Sequence, residues 1–497
     1  MKNHVGTTRV QVAIVGSGFG GLGAAIALRQ AGLSDFLILE RGDEVGGTWR
    51  DNQYPGAACD VQSFLYSYSF EQWPYWRRAF APAEQIFQYT LHCVSKYKLR
   101  PHVRLNAEVV SATWDEPSAT WALRLADGRE VVANHIILGT GGLSRPKLPE
   151  IPGIASFQGE SFHTAQWNHD FDLSGRRVAV VGTGASSIQV VPAIAHKVGS
   201  LSVFQRTPAW VIHKPDRDIS EREQRLYARF PALLNAQRAR VYAQLDPRSV
   251  AFAVEPRIMK AFEFIAKRFL RSEVKDTALR EKLTPSYRIG CKRILMSNEY
   301  YPALQRDNVE VITGADGAIA EVTPRGIRTA DGREHALDCI VWATGFQEAD
   351  ALSPFPIYGV GGRSLQETWG INAEAYKGTS VHGFPNLYML VGPNTGLGHS
   401  SMILIIEAQI RYLMQAIQWQ LRTGADIIEV REEAQRRYNE KLMRRLAKTV
   451  WATGCNSWYT NSEGRNTTLW PGSTAEFELM MRKFDSRAWE QRTLARV

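Results

Sequence analysis

Two stretches of the chain repeat the same succession of apolar run, glycine turn, helical pattern and second apolar run. The first joins Val10 to Val15, Gly16-Ser17-Gly18-Phe19-Gly20-Gly21, a helical pattern from Leu22 to Gln30, and Phe36 to Leu39. The second joins Arg177 to Val181, Gly182-Thr183-Gly184-Ala185-Ser186-Ser187, a helical pattern to His196, and Leu201 to Gln205. The chain therefore predicts two β-α-β units of the kind that binds dinucleotides.

The ends of the two units also repeat. ADGREVVANHIILGTG begins at Ala126 and ADGREHALDCIVWATG at Ala330, and each predicts an Asp-Gly hairpin turn, a strand and a Thr-Gly pair. The interval from Arg206 to Ala330 is 124 residues, whereas that from Glu40 to Ala126 is 86. The second unit therefore carries an insertion, which we expect to be helical and to span about 215–290.

Apolar residues recur at helical spacing inside this insertion, in Ile258-Met259, Phe262, Ile265-Ala266 and Phe269-Leu270, among basic residues. A helix packed on the core with a solvated face gives this pattern, and so does a helix lying on a membrane surface. The pattern does not distinguish the two, and the core-packed helix is the commoner case.

Length and composition narrow the class of protein. The chain has 497 residues, 44% hydrophobic and 22% charged, which is an ordinary globular mixture and enough to bury a large core. The net charge of +9 is spread without a concentrated basic tail, so nucleic acid is not an expected partner. Five glycines from Gly16 to Gly23 interrupt the uncharged N-terminal stretch, so we expect a soluble protein without membrane association.

The five cysteines, Cys59, Cys93, Cys291, Cys339 and Cys455, lie far apart and form no C-x-x-C pair. Their spacing predicts neither a zinc site nor a disulfide framework. We therefore expect no metal, and we expect the protein to lie in the reducing cytoplasm.

The first glycine turn has the features of a dinucleotide site. Gly16 permits the turn, Gly18 lets the backbone approach a pyrophosphate at the helix N-terminus, and Gly21 allows close packing of helix on strand. Glu40 follows Gly16 by 24 residues, where a carboxylate can accept hydrogen bonds from ribose hydroxyls.

The second unit differs from the first at the position expected to contact the coenzyme ribose. Arg206 lies 24 residues after Gly182, where the first unit has Glu40, and Thr207 follows it. A guanidinium attracts a 2′-phosphate that a carboxylate would repel, so the second site favours NADP over NAD. Gly184 and Ser187 complete the turn, with the small Ser187 where a third Gly or Ala is usual.

Two longer motifs resemble those of the Baeyer-Villiger monooxygenases of the flavin-dependent monooxygenase superfamily. The family fingerprint F-x-G-x-x-x-H-x-x-x-W is matched by Phe157, Gly159, His163 and Trp167, and Asn168 stands where the family has Pro or Asp. The pattern G-G-x-W, Y-P-G, D is matched in full between Gly46 and Asp60. The resemblance extends from Gly16 to the helix after Met402.

The resemblance implies residue roles. It places Arg293 beside the reduced flavin, Asp60 as the acid that orients Arg293, and Lys292 at the 2′-phosphate. It implies that His163 and Trp167 position a linker that moves during the catalytic cycle. The cofactor-binding residues expected from the turns and the resemblance together are Gly16, Gly18, Gly21, Glu40, Thr48, Trp49, Asp60, Tyr66, Gly182, Thr183, Gly184, Ser187, Arg206, Thr207, Lys292 and Met402.

The implied fold is α/β, with two Rossmann-like domains and a helical insertion in the second. We expect residues 1–145 and 341–497 to form an FAD domain and residues 146–340 an NADP domain.

In the implied reaction NADPH reduces FAD, O2 adds to give a C4a-peroxyflavin, and one oxygen atom enters a ketone to give an ester or lactone. An N- or S-oxygenating flavin monooxygenase and a non-catalytic FAD- and NADPH-binding redox sensor remain alternatives. The pattern specifies neither the ketone nor the oligomeric state.

Overall fold

A computed structural model describes residues 7–347, 353–453, 457 and 459–495 of the chain. Its strands are Thr7–Val15 (β1), Phe36–Leu39 (β2), Val103–Arg104 (β3), Val109–Asp115 (β4), Thr120–Leu125 (β5), Glu130–Leu138 (β6), Glu160–His163 (β7), Arg177–Val181 (β8), Ser200–Gln205 (β9), Val211–Ile212 (β10), Leu295–Met296 (β11), Val309–Thr313 (β12), Ile319–Thr323 (β13), Gly326–Thr329 (β14), Glu334–Ala336 (β15), Cys339–Trp342 (β16), Ile357–Tyr358 (β17), Leu387–Met389 (β18), Ile427–Val430 (β19) and Trp489–Arg492 (β20).

The α-helices of these ranges are Phe19–Gln30 (α1), Thr48–Asp51 (α2), Ala83–Lys96 (α3), Ser187–Ile194 (α4), Glu221–Arg229 (α5), Pro231–Leu245 (α6), Met259–Glu273 (α7), Thr277–Lys282 (α8), Tyr300–Leu304 (α9), Leu365–Trp369 (α10), Met402–Thr423 (α11), Glu432–Leu446 (α12) and Thr474–Met481 (α13). None of the helices in the described ranges combines the length and the apolar composition needed to cross a membrane.

Two sheets carry the two nucleotide units. The larger has the order β17-β4-β5-β6-β1-β2-β3, with β18 also paired to β6, and the smaller has the order β12-β9-β8-β16-β7. All four pairings of the smaller sheet are parallel. In each sheet the strand before the glycine turn, β1 or β8, lies between the next strand of its unit and the strand of the repeated segment, β6 or β16. The predicted α/β class with two Rossmann-like units is confirmed.

The predicted hairpins at both repeats are also present. Gly128 and Gly332 each have a φ of +85°, and they follow the Asp residues of turns that connect antiparallel strands. The positive φ explains the Asp-Gly pair, because glycine adopts this conformation without a steric cost.

The larger sheet takes strands from both ends of the chain, since β17 and β18 pair with β4 and β6. Helix α11 packs on α1 at Gly23, where an added Cβ would lie 2.8 Å from the Ile410 side chain. This close approach sets the C-terminal helix directly behind the first glycine turn. The expected boundary at residue 340 falls inside β16, which lies between β8 and β7 in the smaller sheet.

His135 on β6 lies in the fully buried core beside Tyr388, with ring centroids 6.0 Å apart. Burial lowers the pKa of His135 from 6.5 to about 4, because the apolar surroundings disfavour the imidazolium. As the pH falls below 6.5, His135 therefore binds a proton in the unfolded chain but not in the folded chain. The free energy of unfolding falls as a result until about pH 4, where the folded chain is protonated too.

We predict that His135→Gln flattens the decline of stability between pH 7 and pH 4. The full titration of His135 lowers the free energy of unfolding by about 3 kcal/mol. Tm measured by differential scanning fluorimetry across this range checks it, with the exposed His196→Gln as control. Parallel Tm profiles of His135→Gln and the parent would show that the titration of His135 does not govern acid stability.

Candidate active site

The first glycine turn is built by close backbone approach. Gly16 has a φ of +96°, and a Cβ there would lie 2.7 Å from the carbonyl oxygen of Gly139, in the repeated Thr-Gly segment. A Cβ on Gly21 would lie 1.9 Å from the Gly16 carbonyl oxygen. Side chains are therefore excluded at both positions, which leaves the N-terminus of α1 open for a pyrophosphate.

Glu40, at the end of β2, is held from both sides. Its carboxylate accepts hydrogen bonds from the amide of Ser17 at 3.0 Å and from the hydroxyl of Ser17 at 2.6 Å, and its other oxygen accepts one from Arg50 at 2.7 Å. Burial alone would raise the pKa of Glu40, but the bonds from Ser17 and the charge of Arg50 outweigh it and lower that pKa. Glu40 is thus an ionised acceptor fixed beside the turn.

The segment from Gly46 to Trp49 packs against this turn. A Cβ on Gly47, whose φ is +53°, would lie 2.9 Å from the Cα of Gly18. Trp49 on α2 donates its indole hydrogen to the hydroxyl of Tyr66 at 3.1 Å, and the ring of Tyr66 lies 5.4 Å from that of Phe19, the first residue of α1. Thr48 begins α2. The expected FAD residues Thr48, Trp49 and Tyr66 therefore lie together at the N-terminus of α1.

Tyr54 and Gly56 connect the two nucleotide units. The hydroxyl of Tyr54 donates to the side-chain oxygen of Gln189 on α4 at 2.8 Å, and the Gln189 amide donates to the carbonyl of Ala58 at 2.9 Å. Gly56 has a φ of +82°, and a Cβ there would lie 2.6 Å from the Gln189 carbonyl oxygen. The Y-P-G part of the motif is thus the surface on which α4 rests.

Asp60 and Arg293 form an ion pair although 233 residues separate them. The Nε and one terminal nitrogen of Arg293 donate to the same Asp60 oxygen at 2.8 and 2.6 Å. The Arg293 side chain is 33% exposed and that of Asp60 27%, so the pair borders a solvent-accessible space. The Asp60 carboxylate raises the pKa of Arg293, which stays cationic at every practical pH.

The second glycine turn repeats the design of the first. Gly182 has a φ of +119°, and a Cβ there would lie 2.3 Å from the Ala343 carbonyl oxygen, in the second repeated segment. Thr183 donates its hydroxyl hydrogen to the carbonyl of Thr207 at 2.7 Å, which ties the turn to the end of β9. Nothing lies within 4 Å of a Cβ added to Gly184, and Ser187 begins α4 fully buried.

Arg206 and Lys292 meet beside this turn. Burial lowers the pKa of Lys292, and repulsion from Arg206 lowers it further. Lys292 lies 4.8 Å from the centre of the Tyr287 ring, and neither cation forms an ion pair with a carboxylate of the described ranges. Two adjacent cations of this kind are stabilised by a dianion, which a 2′-phosphate supplies.

The fingerprint residues surround the two chain segments that connect the sheets. Phe157 packs against the smaller sheet, and a Cβ on Gly159 would lie 2.5 Å from its ring. The ring centroid of Trp167 lies 4.9 Å from that of Phe162. Buried His163 ends β7, and burial lowers its pKa although the backbone of Gly345 opposes the shift. A neutral His163 fits a packing role.

The connecting segments pair with each other next to His163. The amide of Lys147 donates to the carbonyl of Gly345, and the amide of Gln347 donates to the carbonyl of Arg145, both at 2.9 Å. The two connecting segments are thus paired as a short antiparallel ladder. The ring of His163 lies 5.6 Å from that of Phe346 on this ladder. The fingerprint histidine therefore contacts the junction between the sheets.

Asn168, where the chain departs from the fingerprint, has its own partners. Its amide donates to Glu160 at 2.8 Å, and its side-chain oxygen accepts from the amide of Asp170 at 3.0 Å. An aspartate could keep only the second bond and would oppose the Glu160 carboxylate. Asparagine is thus matched to Glu160 on β7.

An aromatic wall lies next to Arg293. Phe252 and Trp451 stack with centroids 6.0 Å apart, and Trp451 lies 6.5 Å from Tyr459, which is a neighbour of Arg293. A Cβ on Gly398 would lie 3.5 Å from the Phe252 ring. Gly398 belongs to the loop from Gly392 to Met402, and half-buried Met402 begins α11 at the end of that loop.

No cluster of His, Cys, Asp or Glu in the described ranges could hold a metal ion. Cys59, Cys93 and Cys339 are buried free thiols, and Cys455 lies outside the described residues. Cys291 is disulfide-bonded, contrary to the expectation from cysteine spacing, because pairing depends on tertiary proximity that spacing does not encode.

Four residues of the site escaped the sequence analysis. Ser17 and Arg50 hold Glu40, Gln189 joins α4 to the Y-P-G segment, and Phe252 forms the aromatic wall. Ser17 stands between two motif glycines and could have been singled out there. Arg50 directly follows Gly46-Gly47-Thr48-Trp49 and could have been singled out in the same way. Gln189 and Phe252 carry no local signal, because their partners are distant in the chain.

Comparisons with known proteins agree with this geometry. A Baeyer-Villiger monooxygenase of Pseudomonas aeruginosa is 48% identical over 97% of this chain and 92% of its own length. Another, of Streptomyces coelicolor, is 47% identical over 96% of this chain and 91% of its own length. The chain belongs to the Baeyer-Villiger monooxygenase family. The family resemblance expected from the motifs is thus confirmed.

Solved structures and a family model add to this result. A steroid monooxygenase bound to NADP has a TM-score of 0.86 at 30% identity and covers 98% of this chain and 100% of its own. OTEMO in complex with FAD and NADP has a TM-score of 0.87 at 27% identity, covering 97% of this chain and 99% of its own. The pyridine nucleotide-disulphide oxidoreductase family model matches residues 13–243.

We predict that Arg206→Ala and Lys292→Ala each raise the KM for NADPH by about ten- to a hundred-fold, because a charge-assisted hydrogen bond contributes about 1.5 to 3 kcal/mol. The KM for NADH should change little. Steady-state kinetics with both coenzymes checks this, and Lys197→Ala, beyond the opposite end of β9, is the control. Equal losses with both coenzymes would show that these cations do not select the phosphate.

Proposed function

We propose that this enzyme oxidises apolar ketones to esters or lactones, with Arg293 as the catalytic cation and Asp60 as its positioning residue. As a Baeyer-Villiger monooxygenase it uses FAD, NADPH and O2. The unit of the larger sheet, which takes strands from both ends of the chain, holds FAD, and the unit of the smaller sheet, from β7 to β16, holds NADP. The observation that carries the proposal is the Asp60–Arg293 pair, which points a permanent cation into an accessible space bordered by both nucleotide units.

The residues present fit both cofactors. Gly16, Gly18 and Gly21 leave the N-terminus of α1 free of side chains, and Glu40 offers an ionised acceptor for ribose hydroxyls. At the second turn, the buried hydroxyl of Ser187 has no partner within the described ranges. Arg206 and Lys292 provide the charge that a 2′-phosphate requires.

FAD, when bound and reduced by NADPH, would activate O2 so that one of its oxygen atoms enters the substrate and the other leaves as water. The protein's contribution is electrostatic. Negative charge develops on the reacting oxygen atoms, and a preorganised guanidinium lowers its free energy without any reorganisation during the reaction. Asp60 fixes the direction of that guanidinium through two hydrogen bonds to one oxygen.

The aromatic wall indicates an apolar substrate. Phe252 and Trp451 are buried and stack on each other, and with Gly398 they place apolar atoms together near Arg293. A carbonyl compound with an apolar body buries against such a surface, and its oxygen is left to the cation. This arrangement favours ketone oxidation over the oxygenation of charged amines.

We predict that Arg293→Ala lowers the rate of ester formation by about 10² to 10³, the usual effect of losing one preorganised stabiliser. NADPH consumption persists, and its product becomes hydrogen peroxide. Mass spectrometry of products from a ketone panel, with a parallel sulfide assay and a peroxide assay, checks this.

Arg293→Lys serves as a second variant, because it keeps the charge and loses the two-point bond to Asp60. The control is Arg288→Ala, an exposed arginine five residues away in the chain. Flavin absorbance and Tm show whether each variant folds and holds FAD. Ester formation at the parent rate by folded Arg293→Ala would refute the assigned role.

A further inference from the structure

The helical insertion exposes an unusual amount of apolar surface. Seventeen large apolar side chains are exposed in the described ranges, and eight of them lie between residues 226 and 265. They are Leu226, Phe230, Leu233, Val250, Val254, Ile258, Phe264 and Ile265. A chance distribution over the chain would not concentrate nearly half of them in forty residues.

Helix α7 shows why core packing does not explain this surface. Met259, Ala266 and Leu270 are buried, and they account for the core-facing side of the helix. Phe264 is 64% exposed and Ile265 55%. These two side chains project on another side of the same helix, so α7 is apolar on more of its circumference than the core requires.

The apolar side chains of α7 follow a helical stripe. Ile258, Ala261 and Ile265 are spaced by three and four residues, which places them on one face. Val254, 69% exposed, lies in the preceding turn, which is separated from this helical run by Glu255, because the Glu255 backbone is not helical (φ −129°, ψ 80°). At these exposures the side chains protrude, whereas residues that line a groove for a partner helix are partly covered by their neighbours.

Positive charge surrounds this stripe. Lys260 and Arg268 lie one helical turn before and after Phe264, and both are exposed. From Glu221 to Arg271 the chain has eleven Lys and Arg and five Asp and Glu, a net charge of +6 out of +9 for the whole protein. Helix α7 itself carries Lys260, Lys267, Arg268 and Arg271 against Glu263 and Glu273. A second copy docking through the same face would therefore bring like charges together, so the charge selects an anionic partner.

We propose that the exposed face formed by Phe264 and Ile265 of α7, with Val254 and Ile258 just before the helix, binds the surface of an anionic lipid bilayer. Protruding apolar side chains between exposed cations are the features of a helix that lies in the interface, with its apolar side chains at the acyl boundary and its cations among the headgroups. The binding is peripheral. The sequence pattern alone did not favour it, because the exposure of Phe264 and Ile265 could not be read from spacing.

The position of the face gives it a function. The turn Val250–Val254, which presents Val254 outward, also carries Phe252 inward onto Gly398 and Trp451. An apolar ketone dissolved in the bilayer would therefore be close to the aromatic wall. This consequence rests on the proposed function, whereas the binding itself does not.

Co-sedimentation of the FAD-loaded protein with vesicles tests the binding. We expect sedimentation with vesicles of phosphatidylcholine and phosphatidylglycerol at low salt, and much less with phosphatidylcholine alone or at high salt. The double variant Phe264→Ser/Ile265→Ser should lower the partition coefficient by about tenfold or more, as should Lys260→Glu/Arg268→Glu. The control Leu479→Ser removes an equally protruding side chain, 69% exposed, from α13.

The result can contradict the proposal in distinct ways. Absence of sedimentation with anionic vesicles, or equal sedimentation of Phe264→Ser/Ile265→Ser and the parent, overturns it. Size-exclusion chromatography that shows a dimer abolished by that variant assigns the face to a second copy instead, and pull-down of an acidic protein without vesicle binding assigns it to a protein partner. Turnover of a water-soluble ketone is measured on the same samples. A loss of ketone oxidation is thereby distinguished from a loss of membrane binding.

Discussion

The ion pair between Asp60 and Arg293 is the interaction on which the active site depends. Its two members lie 233 residues apart, and the pair survives only if the FAD and NADP units keep their relative position. A charged pair with an accessible edge adds little stability by itself. Its value is geometric, because two hydrogen bonds to one carboxylate oxygen give the guanidinium a single direction.

The segment from Gly46 to Asp60 supplies that constraint. It begins with Gly47 against Gly18 at the first glycine turn, continues with Tyr54 and Gly56 against Gln189 on α4, and ends at Asp60. One short stretch of chain therefore contacts the first turn, the helix of the second turn and Arg293, the proposed catalytic cation. The spacing of the G-G-x-W, Y-P-G, D motif follows from these three contacts.

Much of this arrangement could be predicted from sequence. The strand and helix bounds around Gly16 and Gly182 follow closely from apolar runs and glycine turns, and the repeats at Ala126 and Ala330 predict the strands that complete each sheet. Contacts between distant residues could not be predicted in this way. Gln189 and Phe252 have no distinctive neighbours in sequence, and the exposure of Phe264 depends on which side of α7 meets the core.

A double-mutant cycle on Asp60 and Arg293 tests the central claim most directly. The quantity measured is the share of consumed NADPH that yields ester rather than hydrogen peroxide, in Asp60→Ala, in Arg293→Ala and in the double variant. If Asp60 acts only by positioning Arg293, the double variant matches Arg293→Ala, because no guanidinium remains to be positioned. Independent losses that multiply in the double variant would contradict the account and assign Asp60 a role of its own.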